Sequence, residues 1–253
     1  MNKQPVWKRK MGKTSSTNVE RGAEILLKLG ETAEQGMTLA ELAELLGDTK
    51  PATHRALVGL SKRGFVQQAG RRGRYRLGPA IYALAMTPFS TRAVVEKVRP
   101  ALIEISSRTG GGTYLLARAG LDAVCIDVEE GQYIIPSTVG GIGGRQPLGT
   151  GAGSICILGM MDERNRATIY SSNEARIADK ITLDRVVASV AFFEKNGYAI
   201  NTPNVQASTI NIAVAVPTDK IRILAAVSII LPDRTLVDAQ KIADLMRSVV
   251  DKL

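Results

Sequence analysis

Histidine occurs once in the 253 residues, at His54. A lone imidazole gives no second histidine for a metal cluster. It also leaves residues 101–253 without any Cys–His or Ser–His pair, which argues against nucleophilic catalysis of that kind. Cysteine occurs twice, at Cys125 and Cys156. Both lie in apolar runs without metal-ligand spacing and read as small buried residues of a reducing compartment. Aromatic residues make up only 4%, so a core built from the 45% hydrophobic content is aliphatic. No apolar run approaches the ~18 uncharged residues of a membrane span, and no signal-peptide pattern is visible. The expectation is a soluble cytoplasmic protein without a cofactor, a bound metal or a membrane partner.

Acidic charge is scarce in one half of the chain. The formal net charge is +9, yet residues 1–100 carry 18 Lys and Arg against 8 Asp and Glu, a net +10, whereas residues 101–253 carry 15 against 16, a net −1. The length allows two domains. The basic half has the electrostatic footprint of a polyanion-binding module, and the nearly neutral half does not.

The stretch Thr38–Leu77 supplies a module of that kind. Leu39, Leu42, Ala43, Leu45 and Leu46 recur at helical spacing, with Thr38 and Glu41 forming a capping-box pattern and Gly47 ending the helix. Asp48 or Thr49 caps a second helix that has Pro51 in its first turn, and Thr53, Ala56, Leu57 and Leu60 share its apolar face. Past Gly64, residues 65–77 read as two short strands joined by a basic, glycine-containing turn, with Arg71, Arg72, Arg74 and Arg76 within six positions. Two helices and a basic hairpin are the pattern of a winged helix-turn-helix, whose second helix enters the major groove. Lys50, Thr53, His54 and Arg55 are the expected contacts from that helix, and Arg71, Arg72 and Arg74 those from the wing to phosphate or minor groove. A plain helical domain with a solvated hairpin is the competing reading.

Residues 1–17 read as a basic disordered arm, and a helix from Asn18 to about Gly30, with Val19, Ala23, Leu26 and Leu27 inward, completes a DNA-binding domain over 18–78. Residues 79–90 read as a linker helix stopped by Pro88, whose apolar face (Ile81, Leu84, Ala85) a second copy would cover. A helix over 91–109 is expected to kink or restart at Pro100. Beyond it, strand patterns flank Gly120-Leu121-Asp122, and Gln132–Val139 reads as extended. A glycine-rich region follows, then a helix over Ile155–Met161, a helix over Leu183–Asn196, three more strands and a closing helix. This predicts an α+β domain with a largely antiparallel sheet over 91–253. The glycines over 140–153 lack the βαβ setting of a dinucleotide site and the Lys-Ser/Thr pair of a phosphate loop. They either open a helix whose N–H groups suit a small anion or simply permit tight packing.

Several blocks together resemble the isocitrate-lyase-regulator (IclR) family of bacterial transcription factors. They are Lys50-Pro-Ala-Thr-His-Arg-Ala-Leu, Arg63-Gly-Phe-Val, Tyr75-Arg-Leu-Gly, Gly120-Leu-Asp-Ala-Val-Cys-Ile-Asp, Arg145-Gln-Pro-Leu-Gly-Thr-Gly-Ala-Gly-Ser, Gly197-Tyr-Ala-Ile-Asn and Ile212-Ala-Val-Ala-Val-Pro. The resemblance spans nearly everything from Thr17 to Leu253. It implies a winged helix-turn-helix joined to a GAF-like effector-binding domain, in a homodimer or homotetramer bound to double-stranded operator DNA. By the same resemblance, the effector pocket takes Ile134, Ser137, Gly151, Ala152, Asn201, Thr209, Asn211, Ser228 and Ile230. No arginine matches a pocket position, so no bidentate carboxylate clamp is implied. Pro51 and Ala52 depart from a usual hydroxyl pair, and Gly149 stands where a histidine is common. The expected function is a ligand-responsive transcriptional regulator modulated by an organic or aromatic acid. An architectural DNA binder without effector stays open, as does an enzyme using Asp127, Glu129 and Glu130.

Overall fold

The computed structural model describes residues 17–32, 35–69, 73–86, 91–133, 135, 137, 139–201, 209–232 and 238–253. Residues 1–16 of the expected arm, residues 33–34, the wing tip 70–72 and the linker end 87–90 fall outside them, while Thr17, the last residue of that arm, opens the first helix. The chain forms two compact units, the first ending at Arg92 and the second running over Ala93–Leu253.

In the first unit, α1 (Thr17–Glu31), α2 (Leu39–Leu45) and α3 (Lys50–Lys62) precede the hairpin β1 (Val66–Ala69) and β2 (Arg74–Leu77). The capping box is formed: Thr38 Oγ1 accepts from the Glu41 N–H at 3.2 Å, and Glu41 accepts from the Thr38 N–H at 2.7 Å. Thr49, not Asp48, caps α3. Asp48 pairs instead with the Arg21 guanidinium and so ties α1 to the turn. Ile25, Leu29, Met37, Leu42, Leu57 and Val66 form the core. This corrects the inward face expected of α1. Val19 is 71% exposed and Ala23 is exposed, whereas Ile25 and Leu29 are buried. A four-residue step, Ile25 to Leu29, sets the seam, and Leu26 only flanks it. Gly36 needs its missing side chain, because a Cβ there would stand 2.4 Å from the Tyr75 carbonyl. That close approach joins Met37 to Tyr75 and closes the wing onto α2. The helix α4 (Pro79–Ala85) follows, with no buried residue.

The second unit holds α5 (Thr91–Thr109), β3 (Gly112–Ala119), β4 (Asp122–Glu129), β5 (Arg145–Pro147), α6 (Ala152–Gly159), α7 (Glu163–Ile177), α8 (Leu183–Asn196), β6 (Ala199–Asn201), β7 (Thr209–Val216), α9 (Thr218–Ile221), β8 (Ala225–Pro232) and α10 (Ala239–Val250). The strands form one sheet in the order β5-β4-β3-β8-β7-β6, every neighbouring pair antiparallel. One face packs on α6, α7 and α8 through Leu116, Ala123, Cys125, Ala213 and Ala226. The other packs on α5 and α10 through Leu115, Val214, Val227 and Ile229. The central β8 is buried on both faces, which explains an apolar run interrupted only by Ser228. The fold is α+β.

Four expectations change. Pro100 does not divide α5, which runs unbroken; Val98, Ala101, Leu102 and Ile105 are buried on both sides of it and hold one line. Among the described residues of 132–139 there is no strand. The helix after the glycines starts at Ala152 rather than Ile155, and α7, unexpected from its polar sequence, is anchored by Ile169, Tyr170, Asn173 and Ile177.

Candidate DNA-reading surface and effector site

The outward edge of α3 is built by exclusion. Ala52, Thr53 and Leu57 are buried, so Lys50, Pro51, His54, Arg55, Val58 and Lys62 are left exposed at helical spacing. Three of the four expected groove contacts, Lys50, His54 and Arg55, lie on this edge. Thr53 does not. It is 0% exposed and its hydroxyl has no hydrogen-bond partner, so it cannot reach a base edge. The reason is the helical period: Thr53 lies one turn before Leu57, which anchors the core. The half-exposed Val58, one turn beyond His54, is an apolar member of the edge that a search for polar contacts passes over.

In the wing, Arg71 and Arg72 lie outside the described residues. Arg74 folds back along the surface toward α2. Its guanidinium donates to the Gly36 carbonyl at 3.0 Å and to Glu41 at 3.0 Å. Arg74 therefore braces the α2 cap, with its side chain still about a third exposed. The Thr38 N–H and this guanidinium hold the Glu41 carboxyl below its usual range.

The second cluster lies where α6 begins, on the sheet face that carries α6. Gly151 caps α6, and Ala152, Gly153 and Ser154 form its first turn. Ser154 is fully buried. Its hydroxyl accepts from the Gly149 and Gly151 N–H groups at 3.1 and 3.0 Å and donates to the Gly151 carbonyl at 2.9 Å. Because the cap residue is glycine, it supplies no side-chain acceptor to the first-turn N–H groups, which keep the helix's positive end. Gly153 lets α6 lie against the sheet: a Cβ there would stand 2.4 Å from Leu116 Cδ1 and 3.5 Å from Ser228 Cβ.

Across that face, Ser228 on β8 donates to Asn211 Oδ1 on β7 at 2.6 Å. Asn211 pairs in register with Ile230 on one side and Asn201 on the other. Thr209, Ser228 and Ile230 are buried. Tyr114 on β3 stands directly opposite Ser228. It is half-buried, and burial raises its phenol above the usual range. The structure thus sets Asn211, Ser228 and Ile230 on the strands beside α6, whose start carries Gly151 and Ala152, with Thr209 at the start of β7. The contact given for Ser137 is local: its hydroxyl accepts from the Val139 N–H at 3.3 Å. Ile134 lies outside the described residues. Tyr114 and Ser154 were missed by sequence reasoning.

The buried Cys125 thiol is pushed up to about 11 by desolvation, and burial holds Cys156 well above the usual thiol range. Neither is a nucleophile at neutral pH. Asp127 and Glu129 are tied to Arg99 at 2.7 and 3.2 Å. Among the described residues, no group of three or more His, Cys, Asp or Glu side chains could hold a metal ion, and no helix is long and apolar enough to cross a membrane.

Two family models match the chain: the IclR helix-turn-helix domain over residues 18–70 and the bacterial transcriptional regulator IclR C-terminal domain over residues 86–253. The chain is similar to the HTH-type transcriptional regulator XynR of Escherichia coli, 26% identical over 215 residues, which cover 84% of each chain. It is also similar to the E. coli transcriptional repressor IclR, 23% identical, covering 73% of this chain and 68% of that one. A solved IclR-type regulator from Silicibacter superposes with a TM-score of 0.75 at 19% identity, covering 93% and 94% of the two chains. An IclR homologue from Microbacterium hydrocarbonoxydans, complexed with 4-hydroxybenzoate, superposes with a TM-score of 0.68 at 16% identity, covering 94% and 100%.

Proposed function

Since the chain belongs to the IclR family of bacterial transcriptional regulators, a DNA-binding family and not an enzyme family, we propose that it binds operator DNA as a dimer or dimer of dimers and that a small organic acid in its second unit controls that binding. The observation that carries the DNA reading is the exposed edge Lys50–His54–Arg55 on α3, in a half of the chain with net charge +10. Two such helices enter successive major grooves, with Lys50, His54 and Arg55 meeting base edges and flanking phosphates. Arg71 and Arg72 serve the wing's phosphate contacts. The apolar α4 pairs with its counterpart in a second copy. The protein acts in the cytoplasm.

The effector reading rests on the helix start at Gly151 and Ala152 beside Ser137, Thr209, Asn211, Ser228 and Ile230, with Ile134 and Asn201 completing the set. A carboxylate fits the first-turn N–H groups of α6, and the bound aromatic acid in one structural neighbour supports an acid of that kind. The ligand regulates by binding one arrangement of the protein more tightly than another; equal affinity for both would shift nothing. The test is fluorescence anisotropy of the full chain with duplex DNA from its own promoter region at low ionic strength, with and without small organic acids. Saturable binding that an acid shifts is expected. Indifference to duplex DNA under every condition overturns the proposal.

A further inference from the structure

The helix α8 has two unlike faces. Leu183, Val186, Val190 and Phe193 are buried in the core that α8 shares with α6 and the sheet. The opposite face has no cover among the described residues. Asp184, Ala188, Ala191 and Lys195 follow one another at four-three-four spacing, which sets side chains along one line of a helix, and all four are exposed. Val187 and Phe192 flank that line on its two sides, 38% and 40% exposed. The Phe192 ring already stands edge-on to Tyr198, with 5.4 Å between centroids, so little of its freedom is left to lose on docking.

The charges of this face sit at its two ends. Asp184 is in the first turn of α8 and Lys195 in the last. Among the described residues neither has an ion-pair partner, whereas the adjacent Glu194 is taken up by Arg166 at 2.6 Å. The face is also symmetric: Asp184 and Lys195, Val187 and Phe192, and Ala188 and Ala191 each lie equally far from the midpoint between Ser189 and Val190. Such a face is complementary to itself turned end for end. In an antiparallel pair related by a twofold axis, Asp184 meets Lys195 of the partner subunit at both ends. A parallel pair would set like charges together at each end, which is repulsive. Ala188 and Ala191 fall at the crossing, where small side chains let two helices come close, and Val187 and Phe192 close over them from the flanks.

We propose that this face of α8 is an interface between copies of this chain: two α8 helices pack antiparallel about a twofold axis, and the contact joins two dimers into a dimer of dimers. It rests on the α4-paired dimer proposed above. One short helix pair falls below the ~1,200 Å² of a stable interface, so it does not hold two monomers together by itself. Between two dimers the contact is made twice, and the second closure is intramolecular.

Sedimentation velocity of the full chain over a range of concentrations tests this. The wild type is expected to pass from dimer to tetramer as concentration rises. Ala188→Glu puts a charge at the crossing; the position is exposed, so the fold is kept, as circular dichroism checks, and the tetramer should be lost. Asp184→Lys and Lys195→Asp each set like charges against one another and should raise the dimer–tetramer dissociation constant about 10-fold or more. The two reversals combined restore opposite charges across the antiparallel pair and should bring the constant back to within about threefold of wild type. Residues that only support their own helix give no such rescue. A wild type that stays a dimer at every concentration overturns the contact, including the case in which the face serves a different protein, and leaves the α4 dimer standing. A tetramer that survives Ala188→Glu, or a double reversal as weak as the single ones, places the contact elsewhere and overturns the proposal. A monomer at every concentration overturns the α4 dimer and this contact together.

Discussion

At the scale of single residues, burial reassigns the polar side chains. Thr53 reads in sequence as a groove contact, but it is closed inside the first unit with its hydroxyl unpaired. A buried hydroxyl without a partner costs about 1–3 kcal/mol relative to a paired one. Thr53→Val keeps the shape and removes the unpaired group, so it should stabilise the chain by ~1 kcal/mol in urea unfolding and leave operator preference unchanged. Lost stability would mean that the hydroxyl has a partner. Two carboxyls in the same unit have the opposite role. Glu41 is lowered by the Thr38 N–H and then by Arg74, and Asp48 by Arg21 and the Thr49 N–H. A depressed folded-state pKa means that the unfolded chain binds more protons, so stability rises with pH through the window. The contribution is complete above the ordinary values of 4.5 and 3.8 and is lost as pH falls below them. The melting temperature of the wild type should therefore drop more steeply between ~pH 5 and ~pH 3 than that of Glu41→Gln with Asp48→Asn. Parallel curves for the two chains would show that neither carboxyl is coupled to folding.

At the scale of elements, what could be read from the chain was what neighbouring residues decide. The Thr38–Glu41 capping box, the left-handed turn at Gly47, the two-residue turn Gly120–Leu121 and the span Leu183–Asn196 all follow from local chemistry, and all are present. What could not be read depends on distant partners. The α7 sequence looks polar because a core position is filled by Asn173, whose side chain donates to the Leu121 and Leu148 carbonyls at 2.8 and 3.1 Å. The edge strand β5 is three residues long and has no apolar alternation. Tyr114 reads only as a strand residue; that it stands opposite Ser228 depends on β8, a strand from the far end of the domain. At the site itself, the Gly-Ala start of α6 could be recognised from the family's pattern. The reason for Gly153 could not, since the atom that forbids a side chain belongs to Leu116. Leu116 is buried and cannot swing away. Gly153→Ala should therefore push α6 off the sheet and cost roughly 1–3 kcal/mol of stability, seen in thermal or urea unfolding, with weakened binding of any ligand held at the helix start. Wild-type stability in this variant would mean that the α6–β3 contact is looser than described.

At the scale of the whole molecule, the division of charge sets how binding responds to salt. The net +10 of residues 1–100 meets a polyanion, while the net −1 of residues 101–253 contributes little. Each phosphate neutralised adds about 0.9 to the log–log slope of affinity against salt on duplex DNA. Oligomeric state enters the same measurement. The α4 helix leaves Tyr82 70% and Leu84 58% exposed on an apolar element that buries none of its own residues. If a second copy covers that face, Tyr82→Ser with Leu84→Ser should give a monomer by light scattering, and the salt slope should fall to about half, because half the phosphate contacts are lost with the partner. Arg72→Ala in the intact dimer removes one contact from each wing. Its slope should drop by roughly 1.8, two contacts at about 0.9 each, with affinity weakened alike for operator and unrelated duplex. The two variants thus separate the wing from the dimer contact. A monomeric wild type removes the pairing of α4, and an unchanged slope in Arg72→Ala removes the wing from the DNA interface while leaving the exposed edge of α3 to be judged on its own contacts.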